Sequence, residues 1–260
     1  MPALNLAIQL SSLRLPIRQA LRAASTLGVS GVELNVRTDL AGIDWSGTVL
    51  RQIRKLLDDL NLKIVALAFP TRRGYNVAED LDKRIAGTKS AMKLAYDLGA
   101  RVVTNSIGRI PDKEDDPDWQ LLVQVLDDIG RHGLRVGAQL AAETGSASGP
   151  DLAKLLAALP DSGIGVHLNP GQLIVNGFSA QEAVESLGSS ILYVTAQDGL
   201  RDLARGRGVE VELGRGAVDY PAVLAALAER DYRGYFTLTA PNSADPQHDL
   251  HRAIQFLRGM

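Results

Sequence analysis

The residues of this chain that could do chemistry are mostly amides and hydroxyls, with a few carboxylates, and several stand two apart. Glu33 and Asn35, His167 and Asn169, Thr195 and Gln197, and Thr237 and Thr239 all show that spacing. In extended backbone it puts both members of a pair on one face. Gln9, Ser11, Arg37, Asn105, Glu143 and Asp198 stand at the ends of similar apolar runs. Amides and hydroxyls both donate and accept hydrogen bonds, so a pocket built from them suits a neutral polyhydroxylated ligand. His167 reads two ways, as a general base or substrate contact, or as a satisfied histidine lining a core. His132 is read as closing a helix at the surface, and His248 and His251 as surface residues of the last helix region. Gly206-Arg207-Gly208 is too short, and lacks the strand-to-helix context, for a phosphate loop.

The elements that must position these residues alternate along the chain. Short β-rich runs stand at Leu4–Leu10, Gly31–Val36, Leu62–Phe69, Arg101–Ser106, Leu134–Glu143, Ile164–Asn169, Ile191–Gln197 and Tyr235–Thr239. Runs without polar alternation are those of strands covered on both faces, as in parallel sheets. Between them apolar residues recur at three or four, as in Leu122, Val125, Leu126 and Ile129. Gly28, Gly99, Gly133 and Gly234 are each expected to end a helix in the left-handed region just before a strand, with Asn61 in that part before Leu62. Eight such units without a Pro/Ser-rich linker predict an α/β fold, a single (βα)8 TIM barrel over residues 1–260. A doubly wound open sheet is the alternative, and Leu10-Ser11-Ser12-Leu13 lacks the Gly-rich first turn it would carry. Function in a barrel collects at the C-terminal strand ends, where the polar residues above fall. The segment from Asp198 to Val218 carries Arg201, Arg205, Arg207 and Arg215, and reads as a solvated insertion or as a lid over the mouth.

Composition narrows the class. The chain has 260 residues, with 28 Lys+Arg against 30 Asp+Glu, a net charge of −2. That balance argues against a nucleic-acid binder, which normally has a basic excess. Hydrophobic content of 45% and charged content of 22% are those of a folded globular protein. Zero cysteines exclude disulfides, thiolate zinc sites and a cysteine nucleophile. No signal peptide and no membrane-spanning run is read, so a cytoplasmic protein is expected.

Several stretches resemble one family. Val166-His167-Leu168-Asn169-Pro170-Gly171-Gln172 looks like the matching run of the xylose isomerase-like TIM barrels, a superfamily of sugar isomerases, ketose 3-epimerases and AP-endonucleases. Leu140-Ala141-Ala142-Glu143, Val194-Thr195-Ala196-Gln197-Asp198-Gly199, Leu213 to Tyr220 and Gly234 to Thr239 fit as well. The resemblance implies one divalent cation held by Glu, Asp, His and Glu at the ends of strands five to eight, with the two Glu moving the proton. At those positions this chain has Glu143, Asn169, Thr195 and Thr239. Gln172 stands where the epimerases have a substrate-contacting His, and Arg201 matches their substrate-contacting Arg. Three of the four implied ligands are therefore neutral, which is a poor set for a hard divalent cation.

The expected site is thus Glu143 as the catalytic carboxylate, with Asn169, Gln172, His167, Thr195, Asp198, Arg201, Thr239, Asn105 and Glu33 as ligand contacts. No second carboxylate is expected beside Glu143 to return a proton. No metal ligands and no cofactor are assigned, beyond a weak Mg²⁺ or Mn²⁺ at Glu143. Two functions follow: a sugar or sugar-phosphate isomerase or epimerase with an altered site, or a non-catalytic carbohydrate-binding or regulatory barrel. An AP-endonuclease would need a multi-metal centre and a basic face. The expected partner is a carbohydrate-like small molecule, neither nucleic acid nor membrane, in a chain that could pair with itself.

Overall fold

The computed structural model describes residues 4–42, 47–202, 208–240 and 242–260. Among the described residues the strands run in chain order: β1 (Asn5–Gln9), β2 (Gly31–Asn35), β3 (Lys63–Ala68), β4 (Val102–Asn105), β5 (Gln139–Glu143), β6 (Gly165–Leu168), β7 (Ile191–Ala196), β8 (Asp198–Leu200), β9 (Val209–Val211) and β10 (Tyr235–Leu238). Eight of them close a parallel barrel in the order β1-β10-β7-β6-β5-β4-β3-β2. The helices are α1 (Ile17–Thr26), α2 (Gly47–Asp59), α3 (Leu81–Asp97), α4 (Pro117–Val136), α5 (Gly149–Ala157), α6 (Pro170–Val175), α7 (Ala180–Leu187), α8 (Tyr220–Glu229) and α9 (Pro246–Arg258). This is the (βα)8 architecture expected from the periodicity, with two additions.

The first addition is α6, one short helix between β6 and α7 whose N-terminus sits at the barrel mouth. The second is the antiparallel ribbon of β8 and β9, which pairs Asp198 with Val211 and Leu200 with Val209. It occupies part of the segment read as a solvated insertion or a lid; Arg205, Gly206 and Arg207 lie outside the described residues.

Two expected boundaries are corrected. The run Leu134–Glu143 is a strand only from Gln139, because Leu134, Arg135 and Val136 complete α4. The turn falls at Gly137, whose φ is 89°, and not at Gly133. Gly133 is there for close approach: a Cβ would stand 2.5 Å from both the Ala138 carbonyl oxygen and Met92 Cε. His132 consequently lies inside α4, half-buried, with its Nε2 unpartnered, and does not cap the helix at the surface. Gly234 likewise keeps a negative φ, and Asp231 at φ 56° makes that turn. Gly28, Gly99 and Asn61 do take the left-handed region, at 76°, 83° and 52°.

Barrel register carries the polar residues to one height. Gln9 pairs with Glu33, Glu143 with His167, and Thr195 with Thr237. Adjacent residues of parallel strands put their side chains side by side, so these pairs form rungs around the mouth.

Candidate functional site

A cavity of ≈ 250 Å³ opens among the C-terminal strand ends. Eight of the expected site residues line it: Glu33, Asn105, Glu143, His167, Asn169, Gln172, Thr195 and Thr239. Gln9, Asn35 and Gln197, also strand-end residues, join them, as does Thr71 from the loop after β3. The last had no sequence signal, since β3 ends at Ala68 and is followed by Phe69-Pro70.

One hydrogen-bonded chain crosses the mouth. Asn169 Nδ2 donates to Glu143 Oε1 (3.3 Å) and to Gln197 Oε1 (2.6 Å), and Gln197 Nε2 donates to Thr239 Oγ1 (2.9 Å). Asn169 also serves the fold, because its Oδ1 accepts from the Gln172 backbone N–H (3.1 Å) and caps α6. Both ends of that amide are therefore committed, with its NH₂ turned to the Glu143 carboxylate and the Gln197 amide oxygen. Gln197 is the hinge of this chain; its two-residue spacing from Thr195 was the one signal that it faces the mouth.

A second set lies deeper. Gln9 Nε2 donates to Glu33 Oε1 (2.8 Å), and Glu33 Oε2 has no hydrogen-bond partner. Burial pushes the Glu33 carboxyl from the ordinary 4.5 up to about 7, against the pull of Gln9 and Tyr193, with Glu143 adding repulsion. The Tyr193 hydroxyl bonds instead to Thr237 Oγ1, at 2.6 Å. Glu143 is also raised by burial, opposed by its bond from Asn169. Glu33, expected only as a ligand contact, is thus a second carboxyl group in the same cavity as Glu143. Neighbouring buried carboxyls raise one another.

His167 bonds through Nε2 to Thr195 Oγ1 (2.7 Å), packs edge-on against the Tyr193 ring, and leaves Nδ1 unpartnered. Burial lowers it to about 3, so it is neutral near pH 7 and a weak base there. Asn105 is spent on positioning: its Nδ2 donates to Tyr75 Oη (2.8 Å) and Thr71 Oγ1 (3.1 Å), and its Oδ1 accepts from the Thr71 N–H.

Two expected residues stand elsewhere. Asp198 is buried, and both its carboxylate oxygens accept from backbone N–H groups: Oδ1 from Gly199 and Val218, Oδ2 from Gly214 and Gly216. Arg201, expected at the cavity edge, is exposed and lies against Gly177, away from the lining. The family-derived register carries it past the mouth because β8 turns the chain aside.

The pH dependence of stability tests the burial of Glu33. Between pH 4.5 and about 7 the unfolded chain has released this proton while the folded chain keeps it. Stability therefore falls as pH rises through that window, by about 3 kcal/mol for this group. His167 contributes the opposite slope, since its lowered value makes stability fall as pH drops below 6.5. Urea denaturation of Glu33→Gln and the parent at pH 4.5 and pH 8 isolates the first contribution. The variant should gain about 2–3 kcal/mol on the parent at the higher pH, and an unchanged difference would show the carboxyl to be solvated.

Comparison with known proteins agrees with this architecture. The family model described as xylose isomerase-like TIM barrel matches residues 21–260. No curated protein matches the chain. Among solved structures, a xylose isomerase domain protein from Planctomyces limnophilus superposes with a TM-score of 0.84 at 22% identity, covering 99% of this chain and 96% of that one. A xylose isomerase-like TIM barrel protein from Mycobacterium smegmatis in complex with magnesium gives 0.76 at 19%, over 99% and 96%. D-allulose 3-epimerase from Methylomonas sp. in complex with D-allulose gives 0.76 at 17%, over 99% and 97%. At these identities the structural likenesses speak for the fold alone, while the family match extends over nearly the whole length, and the chain belongs to the xylose isomerase-like TIM barrel family.

Proposed function

We propose that the mouth cavity binds a carbohydrate-like, polyhydroxylated small molecule without a divalent cation. The carrying observation is the Asn169 side chain. Its oxygen is held by the Gln172 N–H and its Nδ2 points at Glu143 and Gln197, so the position that would ligate a cation presents a donor. Thr195 and Thr239 are likewise engaged, with His167 and Gln197. Among the described residues no group of three or more His, Cys, Asp or Glu side chains could hold a metal ion. At the family's four ligand positions one carboxylate stands with an amide and two hydroxyls, which does not fit a hard cation that prefers several anionic oxygens. The same groups suit sugar hydroxyls, which both donate and accept.

A second reading, proton transfer on such a ligand, is favoured by Glu33 and Glu143 sharing the cavity. Carboxyl groups raised toward neutrality match the needs of general acid–base work at pH 7. A D-allulose-bound epimerase in the same fold makes this ligand class the natural one to try.

Thermal unfolding with pentoses, hexoses, inositols and their phosphates checks the first reading. A ligand at a hundred times its Kd stabilises the folded chain by about 2.7 kcal/mol, and at least one of the panel should raise the midpoint. Neither millimolar Mn²⁺ nor a chelator should move it. A panel without effect would remove carbohydrate binding, and a chelator-sensitive midpoint would remove metal independence. Solvent-deuterium incorporation into the bound sugar, abolished in Glu143→Gln, checks the second.

A further inference from the structure

Beside the mouth, and sharing Pro70 and Thr71 with its lining, lies a cleft of ≈ 690 Å³ walled by Arg37, Arg72, Arg73 and Arg84 against Glu79 and Asp80. Both acids are already paired, Glu79 with Arg73 at 2.5 Å and Asp80 with Lys83 at 2.6 Å. Among the described residues Arg37, Arg72 and Arg84 form no salt bridge. Arg84 is the unusual one. It is a 9% exposed guanidinium in the first turn of α3, where the helix dipole disfavours a cation. Its terminal nitrogens donate to the Glu79 and Val77 carbonyls, and its buried Nε has no partner. Its hydrogen bonds go only to carbonyls, and Asp80, close enough to feel its charge, is bonded to Lys83 instead, so the cation has no carboxylate bonded to it.

The cleft is held in shape. Arg37 Nε donates to the Pro70 carbonyl (2.7 Å) and its guanidinium carbon lies 4.7 Å from the centre of the Phe69 ring, so its terminal nitrogens are left for a ligand. The loop that carries Arg72 and Arg73 is pinned at Thr71 by Asn105, a lining residue of the mouth cavity. Further along, Tyr75 N–H donates to the Ile107 carbonyl (2.9 Å) and Asn76 Nδ2 to the Arg109 carbonyl (3.0 Å). The loop that carries two of the cations is thus pinned by a side chain that itself lines the mouth cavity. Planar guanidinium forks match the oxygens of a phosphate better than any single point charge does.

We propose that this arginine cleft is an anion subsite of the mouth cavity, and that the ligand is a carbohydrate bearing a phosphate group. The sugar hydroxyls would lie among Asn169, Gln197 and Thr239, with the phosphate beyond Thr71. The assignment of a sugar rests on the function proposed above; the anion subsite does not.

Titration calorimetry with inorganic phosphate tests the cleft alone. The parent should bind phosphate, more weakly as salt is raised, because the cleft is open to screening. Arg72→Gln and Arg37→Gln, both at exposed side chains, should each weaken it at least threefold and together at least tenfold. Arg84→Met should do the same if it folds, and the surface pair keeps the test decisive if it does not. Arg22→Gln on α1 is the distant control and should leave binding unchanged. Next, a sugar phosphate should bind at least tenfold tighter than the same sugar and than phosphate alone. Absent phosphate binding, or binding indifferent to Arg37 and Arg72, overturns the anion subsite even if free sugars bind. Phosphate binding that an attached sugar does not strengthen overturns the shared ligand and leaves carbohydrate binding to its own test. A sugar carboxylate that binds as tightly as the sugar phosphate overturns the choice of phosphate.

Discussion

Replacing Asp198 by alanine should destabilise the folded chain by about 3–5 kcal/mol, among the largest single-residue effects in the molecule. The carboxylate is 1% exposed and accepts four backbone N–H groups between 2.9 and 3.1 Å. Hydrogen bonds to a charged group contribute about 1.5–3 kcal/mol each, but they share one anchor and do not add in full. Alanine leaves those donors facing an unfilled space. Asparagine should be nearly as harmful, because its NH₂ would oppose two of the N–H groups it must satisfy. The surrounding sequence is built for the anion: a Cβ on Gly216 would stand 2.0 Å from Asp198 Oδ1. Gly216→Ala should therefore displace the carboxylate and cost a comparable amount. Urea denaturation provides the measurement, with Asp127→Ala as reference, since that exposed i,i+4 pair with Arg131 is worth under about 1 kcal/mol. A loss below about 1 kcal/mol at position 198 would return Asp198 to the candidate ligand contacts. The position also matters to the mouth, because the neighbouring Gln197 carbonyl accepts from Tyr220 Oη at 2.7 Å, and Gln197 bridges Asn169 and Thr239.

Asp198 also marks where sequence reasoning stops. Its partners are main-chain N–H groups at 199, 214, 216 and 218, and a backbone donor leaves no trace in residue type. The family's pattern placed Asp198 among substrate contacts, and only the folded loop shows what its oxygens hold. The barrel itself was legible, because each βα unit carries its own apolar run, helical stripe and turn residue within some thirty positions. Strand parity was equally local, and it put Asn169, Thr195 and Thr239 on the mouth. The ribbon of β8 and β9 escaped notice, since three residues such as Val209-Glu210-Val211 are too few to show a period. Glu33 was seen as a pocket residue but not as a companion to Glu143. β2 and β5 are separated in the sheet by β3 and β4, and only closure of the barrel turns their ends toward one cavity. The arginine cleft depends on the fold too, since Arg37 comes from the β2–α2 unit and Arg72 and Arg84 from the neighbouring β3–α3 unit.

Restoring the family's ligand set should convert the cavity into a cation site with a gain in stability as large as the loss at Asp198. Asn169→Asp, Thr195→His and Thr239→Glu would supply, with Glu143, three carboxylates and one imidazole. Aspartate at 169 can still cap α6, because it keeps the oxygen that accepts from the Gln172 N–H. What it loses is the pair of donations to Glu143 and Gln197, so a carboxylate and an amide oxygen that now share a donor would face a new anion instead. The metal-free triple variant should consequently be less stable than the parent, with at least one carboxyl raised by its neighbours. Adding Mn²⁺ removes that repulsion. If 1 mM Mn²⁺ stands at a hundred to a thousand times the Kd, the folded state gains about 2.7–4.1 kcal/mol. Each single replacement should respond weakly, because a hard cation needs several anionic oxygens at once. Thermal midpoints of the parent, the three single variants and the triple variant, each with Mn²⁺ and with chelator, distinguish the cases. A triple variant blind to Mn²⁺ would mean that the four positions do not converge on one ion, and the register drawn from the family would fail with it. A parent whose midpoint falls with chelator would show that Glu143, with amides and hydroxyls alone, holds a cation after all, and an ordinary metal-dependent isomerase would become the better reading of the cavity.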